Sequence, residues 1–583
     1  MTPMNKLLIA NRGEIALRIM RTAKEMGIRT VAVYSEADRD ALHARYADES
    51  YLIGPAAPMQ GYLNVEKLLA VARESGADAV HPGYGFLAEN AGFARAVIAA
   101  KLLWVGPHPG AIEAMGDKIR ARQAMIEAGV PVVPGGTDPI ESLDDAKRAA
   151  REFAYPLALK ASGGGGGKGL KVARSEAELE SAFTTARREA DAYFKNPTIY
   201  AERYLDNPKH VELQILADKH GGAVHFGERD CSLQRRHQKL YEETPALVSE
   251  HVRDGLREAG LRAARAIGYD SVGTIETLVA GDEFFFLEMN TRIQVEHTIS
   301  EMIAGIDLIR EQLRVAAGEK LGYDQGAVSF RGHAIEVRVN AEDPADGFRP
   351  APGTIAVYRE PAGLGVRVDS AAEAGTTIGS DYDSMISKLI VWAPDREQAR
   401  ARLRRAIDDY RIEGVPTTLP FLRALNDAPV VASGAYGTAT LEAYAETWKP
   451  AQRAVAASAP ATSAVRDGDV VNVEVNEKLF VVRLLDAPRG SSPALRPPPR
   501  PMNSRARNGK TASGNDVIAP MHGVIVDLLV AEGASVTDGQ VVAVIEAMKM
   551  MNEIRAHRAG TVAAVHAKKG ETVEPNSPLV TLA

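Results

Sequence analysis

The chain has 583 residues, 45% of them hydrophobic and 25% charged, an ordinary globular balance with enough apolar mass for about three to five domains. A net charge of -7 offers no basic footprint and excludes nucleic acid as the expected partner. The single cysteine, Cys231, rules out an intramolecular disulfide, and the apolar run Leu7 to Ala10 is too short for a signal core or a membrane span, so a cytoplasmic protein without a membrane partner is expected.

Residues 1–115 alternate short apolar strands with amphipathic helices: Leu7-Leu8-Ile9, a helix from Glu14, Thr30 to Val33, Ala79-Val80 and Leu102 to Val105. This pattern predicts a small doubly wound α/β unit. Its first turn, Ala10-Asn11-Arg12-Gly13-Glu14, has one glycine and so lacks the close pyrophosphate approach of a dinucleotide fingerprint. His81 to Phe86 reads either as plain turn chemistry or as a ligand-facing lip.

Beyond residue 115 the decisive stretch is Lys160-Ala161-Ser162 followed by Gly163, Gly164, Gly165, Gly166 and Gly167, then Lys168-Gly169. A run of glycines is costly to order. Between two strands it makes sense where backbone N–H groups wrap phosphate oxygens, with Lys160 and Lys168 supplying charge. It is not a Walker loop, since no Gly-Lys-Ser/Thr opens a helix. His210 to Ile215 alternates polar and apolar faces, and Arg235, Arg236, His237 and Lys239 form a cation cluster that would attract an anion or lie on a solvated face. Cys231 is expected to be an inert thiol.

Glu276 and Glu288 fall on two apolar strands, where a carboxylate is expensive unless it meets a cation or hydrogen-bonding partner. With Asn290 they offer hard oxygen ligands for Mg²⁺ or Mn²⁺ bridging nucleotide phosphates. Arg292 and Glu296, with Gln294, supply an anion clamp and a base, or else an ion pair on a surface helix. Residues 331–448 form a further α+β segment in which Glu336 and Arg338 share one face of a strand, as a surface ladder or with Arg338 aimed at the metal centre. Asp381 to Met385 reads as a loop without assigned role.

Residues 449–513 are rich in Ala, Ser and Pro, apart from a hairpin-like island at 471–485 that is expected to dock on a neighbouring domain or another subunit. Its proline-rich end forms an extended tether of ~3.1 Å per residue. The C-terminal segment is an internal repeat: Gly523, Gly533 and Val536 recur as Gly560, Gly570 and Val573. Each copy reads as short strands, so two half-barrels would close on each other. Between them lies Glu546-Ala547-Met548-Lys549-Met550-Met551, a lysine at a hairpin tip suited to a covalent group carrier.

Taken together, Ile9 to Ala16, the glycine loop, Glu228 to Lys239, Glu288 to His297 and Glu546 to Met551 resemble the biotin-dependent carboxylases, over nearly all of 4–448 and 515–583. The layout is similar to an acyl-CoA carboxylase α subunit. The resemblance implies an α/β and α+β ATP-grasp biotin carboxylase with a Rossmann-like N-terminal domain (1–115), an ATP-grasp domain (116–330) with a lid near 132–204, and a C-terminal domain (331–448). A linker (449–513) and an all-β biotinyl/lipoyl carrier (514–583) would follow. It implies that Lys118, Lys160, Gly163 to Gly167, Glu202, Leu205, His210, Gln234 and His237 surround ATP. Glu276, Glu288 and Asn290 would hold Mg²⁺ or Mn²⁺, as two ions. Glu296 would deprotonate bicarbonate, Arg292, Lys239 and the backbone around Val295 would hold it, and Arg338 would stabilise the biotin enolate. Biotin would sit covalently on Lys549, placed there transiently by a biotin protein ligase, although a lipoyl arm is the competing group.

The sequence departs from the family at Thr298-Ile299-Ser300, where members commonly have Pro-Val-Thr. No stretch is left for a carboxyltransferase, so a separate carboxyltransferase β subunit is expected, in a hetero-oligomer, with acetyl-CoA or propionyl-CoA as final acceptor. Pyruvate as acceptor, or a non-catalytic carrier scaffold, are the alternatives.

Overall fold

The computed structural model describes residues 4–136, 138–161, 169–194, 196–236, 238–450, 470–475, 478–483, 515–520, 523–547, 550–573 and 577–583. The chain divides into two compact units, residues 1–448 and 449–583.

The first unit opens with a parallel sheet. Strands β1 (Lys6–Ile9), β2 (Arg29–Ser35), β3 (Glu49–Gly54), β4 (Ala79–His81) and β5 (Leu103–Trp104) take the order β3-β2-β1-β4-β5. Leu7, Leu8 and Ile9 are all fully buried, as a parallel strand covered on both faces requires. Helix α1 (Gly13–Glu25) follows β1 directly and buries Ile15, Ala16, Ile19, Met20 and Ala23.

A small three-stranded layer follows. Strands β6 (Leu157–Ala161), β7 (Leu170–Ala173) and β8 (Ile199–Arg203) pair in the order β7-β6-β8, backed by helices α2 (Leu143–Phe153) and α3 (Glu176–Phe194). Helix α2 starts in a capping box between Ser142 and Asp145, which satisfies two orphan donors at once. The layer has its own apolar cluster, including Leu157, Leu159, Ala186 and Ile199. The incoming chain crosses it at Gly135, where a Cβ would come 2.5 Å from that of Glu202.

The main body is an eight-stranded antiparallel sheet. Its strands are β9 (Lys209–Ala217), β10 (Ala223–Arg235), β11 (Gln238–Thr244), β12 (Val272–Ala280), β13 (Glu283–Asn290), β14 (His333–Asn340), β15 (Val366–Ser370) and β16 (Met385–Ala393), in the order β13-β12-β9-β10-β11-β14-β16-β15. Pairing of β11 with β14 makes the sheet continuous across residue 330. Side chains alternate across a strand. Val211, Leu213 and Ile215 therefore pack with Leu256, Ala259 and Ala263 of α4 (Glu250–Ala266), while His210, Glu212 and Gln214 face the other way. The loop Asp381 to Met385 anchors Tyr382 on the N-terminal layer, where its hydroxyl donates to Ser35 Oγ at 2.7 Å and its ring lies 4.1 Å from the Arg12 guanidinium.

The second unit ends in two four-stranded sheets. With β17 (Asp516–Ile518), β18 (Gly523–Leu528), β19 (Ser535–Val536), β20 (Val541–Ala547), β21 (Met550–Arg555), β22 (Gly560–Val565), β23 (Thr572–Val573) and β24 (Pro578–Leu582), the orders are β17-β24-β22-β19 and β21-β20-β18-β23. The repeat is reciprocal in space. Gly523 of the first copy pairs with Val573 of the second, and Gly560 of the second pairs with Val536 of the first. Each sheet thus draws strands from both copies around Ile525, Ile545, Val562 and Val580. Residues 548 and 549 lie between β20 and β21 in the chain and outside the described residues, as does the remainder of 451–514 apart from the antiparallel strands Val470–Val475 and Lys478–Arg483.

Candidate active site

The antiparallel register builds the site. Arg229 on β10 pairs with Glu212 on β9, Glu212 with Glu276 on β12, and Glu276 with Glu288 on β13. Adjacent like charges on one sheet face repel, so this row of three carboxylates demands cations. Arg229 supplies one from the end of the row: fully buried, it donates to Glu212 Oε1 at 2.6 Å and to Gln214 Oε1 at 2.6 Å. Lys239 supplies the second, its Nζ donating to Glu212 Oε2 at 2.6 Å, Glu276 Oε1 at 3.0 Å and Glu296 Oε1 at 2.6 Å. His210 Nε2 lies 3.1 Å from Glu276 Oε2.

These charges set the proton states. Burial pushes Glu276 up, but Lys239 and His210 outweigh it and hold it well below the usual carboxylate range. Burial likewise works on Glu296 against Lys239, Arg338 and Arg229, which keep it ionised well below that range. Glu288 goes the other way, raised by burial and by the charge of Glu276. An oxygen-donor carboxyl that resists ionisation beside a second carboxylate is chemistry that a divalent cation relieves. Glu276, Glu288 and the Asn290 amide therefore fit Mg²⁺ or Mn²⁺.

Arg338 on β14 donates from Nη2 to Glu296 Oε2 at 3.0 Å and from Nε to Glu242 Oε1 at 2.8 Å. Glu336 and Arg338 do not form a surface ladder: Glu336 is fully buried and accepts from the Thr298 hydroxyl, while the half-buried Arg338 lines the cleft. Burial pushes Glu242 up to about 7 against the pull of Arg338. A carboxyl raised in the folded chain holds its proton more tightly than in the unfolded one, so its ionisation favours unfolding. Stability is then lost as pH rises from the ordinary value of 4.5 through about 7. Glu242→Gln should flatten that part of the curve, whose slope from one such proton is at most roughly 1.4 kcal/mol per pH unit. Urea midpoints between pH 5 and 8 read this directly, and an unchanged slope would count against it.

Lys118, Lys160, Glu202, Leu205, His210, Gln234, Lys239, Glu276, Glu288, Asn290, Arg292, Glu296 and Arg338 all line one cleft of about 540 Å³. Lys160 pairs with Glu202 across β6 and β8. Gly163 to Gly167, His237 and Lys549 lie outside the described residues. The cation cluster does not act as one patch. Gln234 and Lys239 are cross-strand partners and both line the cleft, whereas Arg235, one residue out of phase, lies 4.6 Å over the Phe348 ring and donates to the Gly347 carbonyl at 2.8 Å. Nor do Arg292 and Glu296 form a helical pair. Helix α5 (His297–Ala304) begins after both, and Arg292 instead donates to Glu89 Oε2 at 2.9 Å and Asn290 Oδ1 at 2.8 Å.

Sequence reasoning left Arg229, Glu212, Glu242, Glu89 and Lys388 without roles. Glu212 and Arg229 carry a readable signal, charges alternating with apolar residues on predicted strands. Glu89 has none, since only tertiary folding brings it to Arg292. The departure at Thr298 and Ser300 is absorbed by hydrogen bonds: Ser300 Oγ accepts from Arg229 Nη1 at 3.0 Å. Burial raises the Cys231 thiol well above its ordinary value, which keeps it un-ionised.

Known proteins match along the whole chain. Family models for the biotin carboxylase N-terminal domain, the ATP-binding domain of the carbamoyl-phosphate synthase L chain, the biotin carboxylase C-terminal domain and biotin-requiring enzymes match residues 3–112, 117–323, 336–443 and 515–582. The α3 subunit of a biotin-dependent acyl-coenzyme A carboxylase from Mycobacterium leprae is 42% identical, covering 98% of each chain. A pyruvate carboxylase subunit from Methanothermobacter thermautotrophicus is 50% identical over 72% of this chain and 86% of its own length. The biotin carboxylase domain of the Hydrogenobacter thermophilus 2-oxoglutarate carboxylase, solved with MgADP, ADP and bicarbonate, superimposes with a TM-score of 0.72 at 47% identity, covering 77% of this chain and 99% of that one.

The ATP-grasp fold and its cleft of lysines and carboxylates define an ATP-dependent ligase. The chain belongs to the biotin-dependent carboxylases, as a biotin carboxylase continuous with a biotin carrier domain. Its reaction is the ATP-dependent carboxylation of biotin. No helix among the described residues is long and apolar enough to cross a membrane.

Proposed function

We propose that this chain is the α subunit of an acyl-CoA carboxylase, acting in the cytoplasm with a separate carboxyltransferase β subunit, and that acetyl-CoA or propionyl-CoA is the final acceptor. Correspondence with the Mycobacterium leprae α3 subunit over 98% of both chains, carrier included, supports the acceptor. The observation that carries the chemistry is the Lys239 ammonium shared among Glu212, Glu276 and Glu296, with Arg338 on the far side of Glu296.

In this reading Lys118, Lys160, Glu202, Leu205, His210 and Gln234 hold ATP, helped by Gly163 to Gly167 and His237. Glu276, Glu288 and Asn290 hold Mg²⁺ or Mn²⁺, which neutralises phosphate charge when bound. Glu296, kept ionised, takes the bicarbonate proton, and Lys239 and Arg292 orient the anion. Arg338 is placed to neutralise negative charge as biotin gives up its proton. Lys549 carries the biotin. The layer around β6 to β8, with its own core, acts as a lid over the nucleotide.

The test uses the full chain biotinylated by a biotin protein ligase. Bicarbonate-dependent phosphate release should fall on the order of a hundred- to ten-thousandfold in Glu296→Gln. Lys549→Ala should lose the biotin mass increment and streptavidin signal while still carboxylating free biotin. Unchanged turnover in Glu296→Gln would remove Glu296 from the role of bicarbonate base, whereas a folded, biotinylated parent chain without bicarbonate-dependent turnover would leave only a carrier scaffold. Reconstitution with the native carboxyltransferase separates acyl-CoA from pyruvate, the acceptor favoured by the similarity to the Methanothermobacter thermautotrophicus pyruvate carboxylase.

A further inference from the structure

Residues 291–296 carry Arg292 and Glu296 yet belong to no helix or strand, lying between β13 and α5. Side chains from elsewhere hold them. Glu89 accepts from the Thr291 N–H at 3.1 Å and from Arg292, Gln294 is held between Arg229 and Glu276, and Glu296 lies between Lys239 and Arg338. Val295, whose side chain is apolar, is held through its backbone: Lys388 Nζ donates to its carbonyl at 2.9 Å.

Lys388 is a costly residue in this place. It is fully buried on β16, in a cross-strand row with Arg338 on one side and Asp369 on the other. Its ammonium lies 3.3 Å from Glu14 Oε1 at the start of α1 and 3.8 Å from Asp369 Oδ2. Glu14 in turn accepts from the Tyr84 hydroxyl. Those two carboxylates compensate the charge, which would be enough for stability alone. The remaining donor is directed to the cleft-lining residue next to Glu296.

We infer that Lys388 is a positioning residue for the carboxylation reaction, orienting the Val295–Glu296 peptide through the Val295 carbonyl so that the carboxylate of Glu296 and the backbone at Val295 meet bicarbonate in register. The physical link is the planarity of the peptide bond: fixing the carbonyl fixes the N–H of Glu296 on the opposite side and the direction in which its side chain leaves. The loop's own hydrogen bonds, from Arg292 to the Ile293 carbonyl and from the His297 N–H to the Gln294 carbonyl, do not engage the Val295 carbonyl, which is held by Lys388. Effective alignment of a base with its substrate is sensitive to displacements of about 1 Å. The inference rests on the proposed assignment of Glu296 as the bicarbonate base.

The experiment measures bicarbonate and ATP saturation, and ADP formed per carboxylated biotin, in full-length Lys388→Met and Lys388→Arg. Lys388→Arg keeps the buried charge and so retains folding, but its planar fork does not reproduce a single ammonium donor on the Val295 carbonyl. Both variants should raise the bicarbonate KM or lower kcat at least tenfold, with the ATP KM changed less than twofold and more ADP released per carboxybiotin. Glu243→Gln, which disturbs an ion cluster with His333 and Arg396 outside this loop, serves as a reference for lost stability alone. It should lower the melting temperature without changing the bicarbonate KM. A folded Lys388→Arg with wild-type bicarbonate KM and coupling overturns the inference, as does a loss that parallels that of Glu243→Gln. Were Glu296→Gln to retain turnover, the underlying assignment would fall instead, so the two failures are distinguishable.

Discussion

Lys239→Met is expected to abolish nearly all bicarbonate-dependent ATP cleavage, by on the order of a hundred- to a thousandfold, the effect of removing one preorganised charge donor. The geometry explains the size. A single buried ammonium lies within 3.0 Å of oxygens from Glu212, Glu276 and Glu296. Without it the three carboxylates lose the one cation they share, Arg229, His210 and Arg338 each remaining on a single member, and the cost of stranded buried charge is roughly 3–5 kcal/mol. The pH dependence of that cost has a definite sign. Glu276 and Glu296 are held below the ordinary range in the folded chain, so the stability they contribute is present above the unfolded carboxylate range and lost as pH falls. The gap between variant and parent in urea midpoint should therefore be widest near neutral pH and close in acid. A gap that does not change with pH would show that the loss is one of packing and not of charge.

Arg229→Met should likewise produce a large loss of stability, roughly 3–5 kcal/mol. The guanidinium has no solvent exposure and donates to Glu212, Gln214, Thr274, Gln294 and Ser300. It therefore ties β9, β12, the loop before α5 and the first turn of α5 to one point on β10. Methionine fills the volume but leaves Glu212 with an unpaired buried oxygen. Arg229→Met/Glu212→Gln should recover part of the urea midpoint by removing that charge, while turnover stays low because Glu212 also holds Lys239. A single variant within about 1 kcal/mol of the parent would contradict this account of the row.

Much of the site was legible before folding was known. Glu276 and Glu288 stand out as carboxylates on apolar strands, and the register places them as direct partners. Arg292 and Glu296 are readable as a pair of functional groups, but their spacing suggests a helical ion pair that does not form, because both precede α5. The cation run Arg235 to Lys239 reads as a single patch. Strand alternation divides it, turning Lys239 inward with Gln234 and sending Arg235 to Phe348. Glu89 and Lys388 lie far along the chain from the loop they hold; nothing local marks Glu89, and Lys388 stands out as a lysine in an apolar strand without any sign of what it meets.

By itself the sequence determined the elements whose signal is local or periodic: alternating strands, glycine turns, the carrier repeat and the lysine between its copies. Local sterics and side-chain periodicity act over a few residues and can be read there. Only the tertiary structure decided how the charges are shared. Which carboxylate Lys239 serves, which oxygen Arg338 meets and which carbonyl Lys388 holds follow from register between strands distant in sequence. In a low-dielectric interior that register, and not the composition of the motif, sets which groups stay ionised.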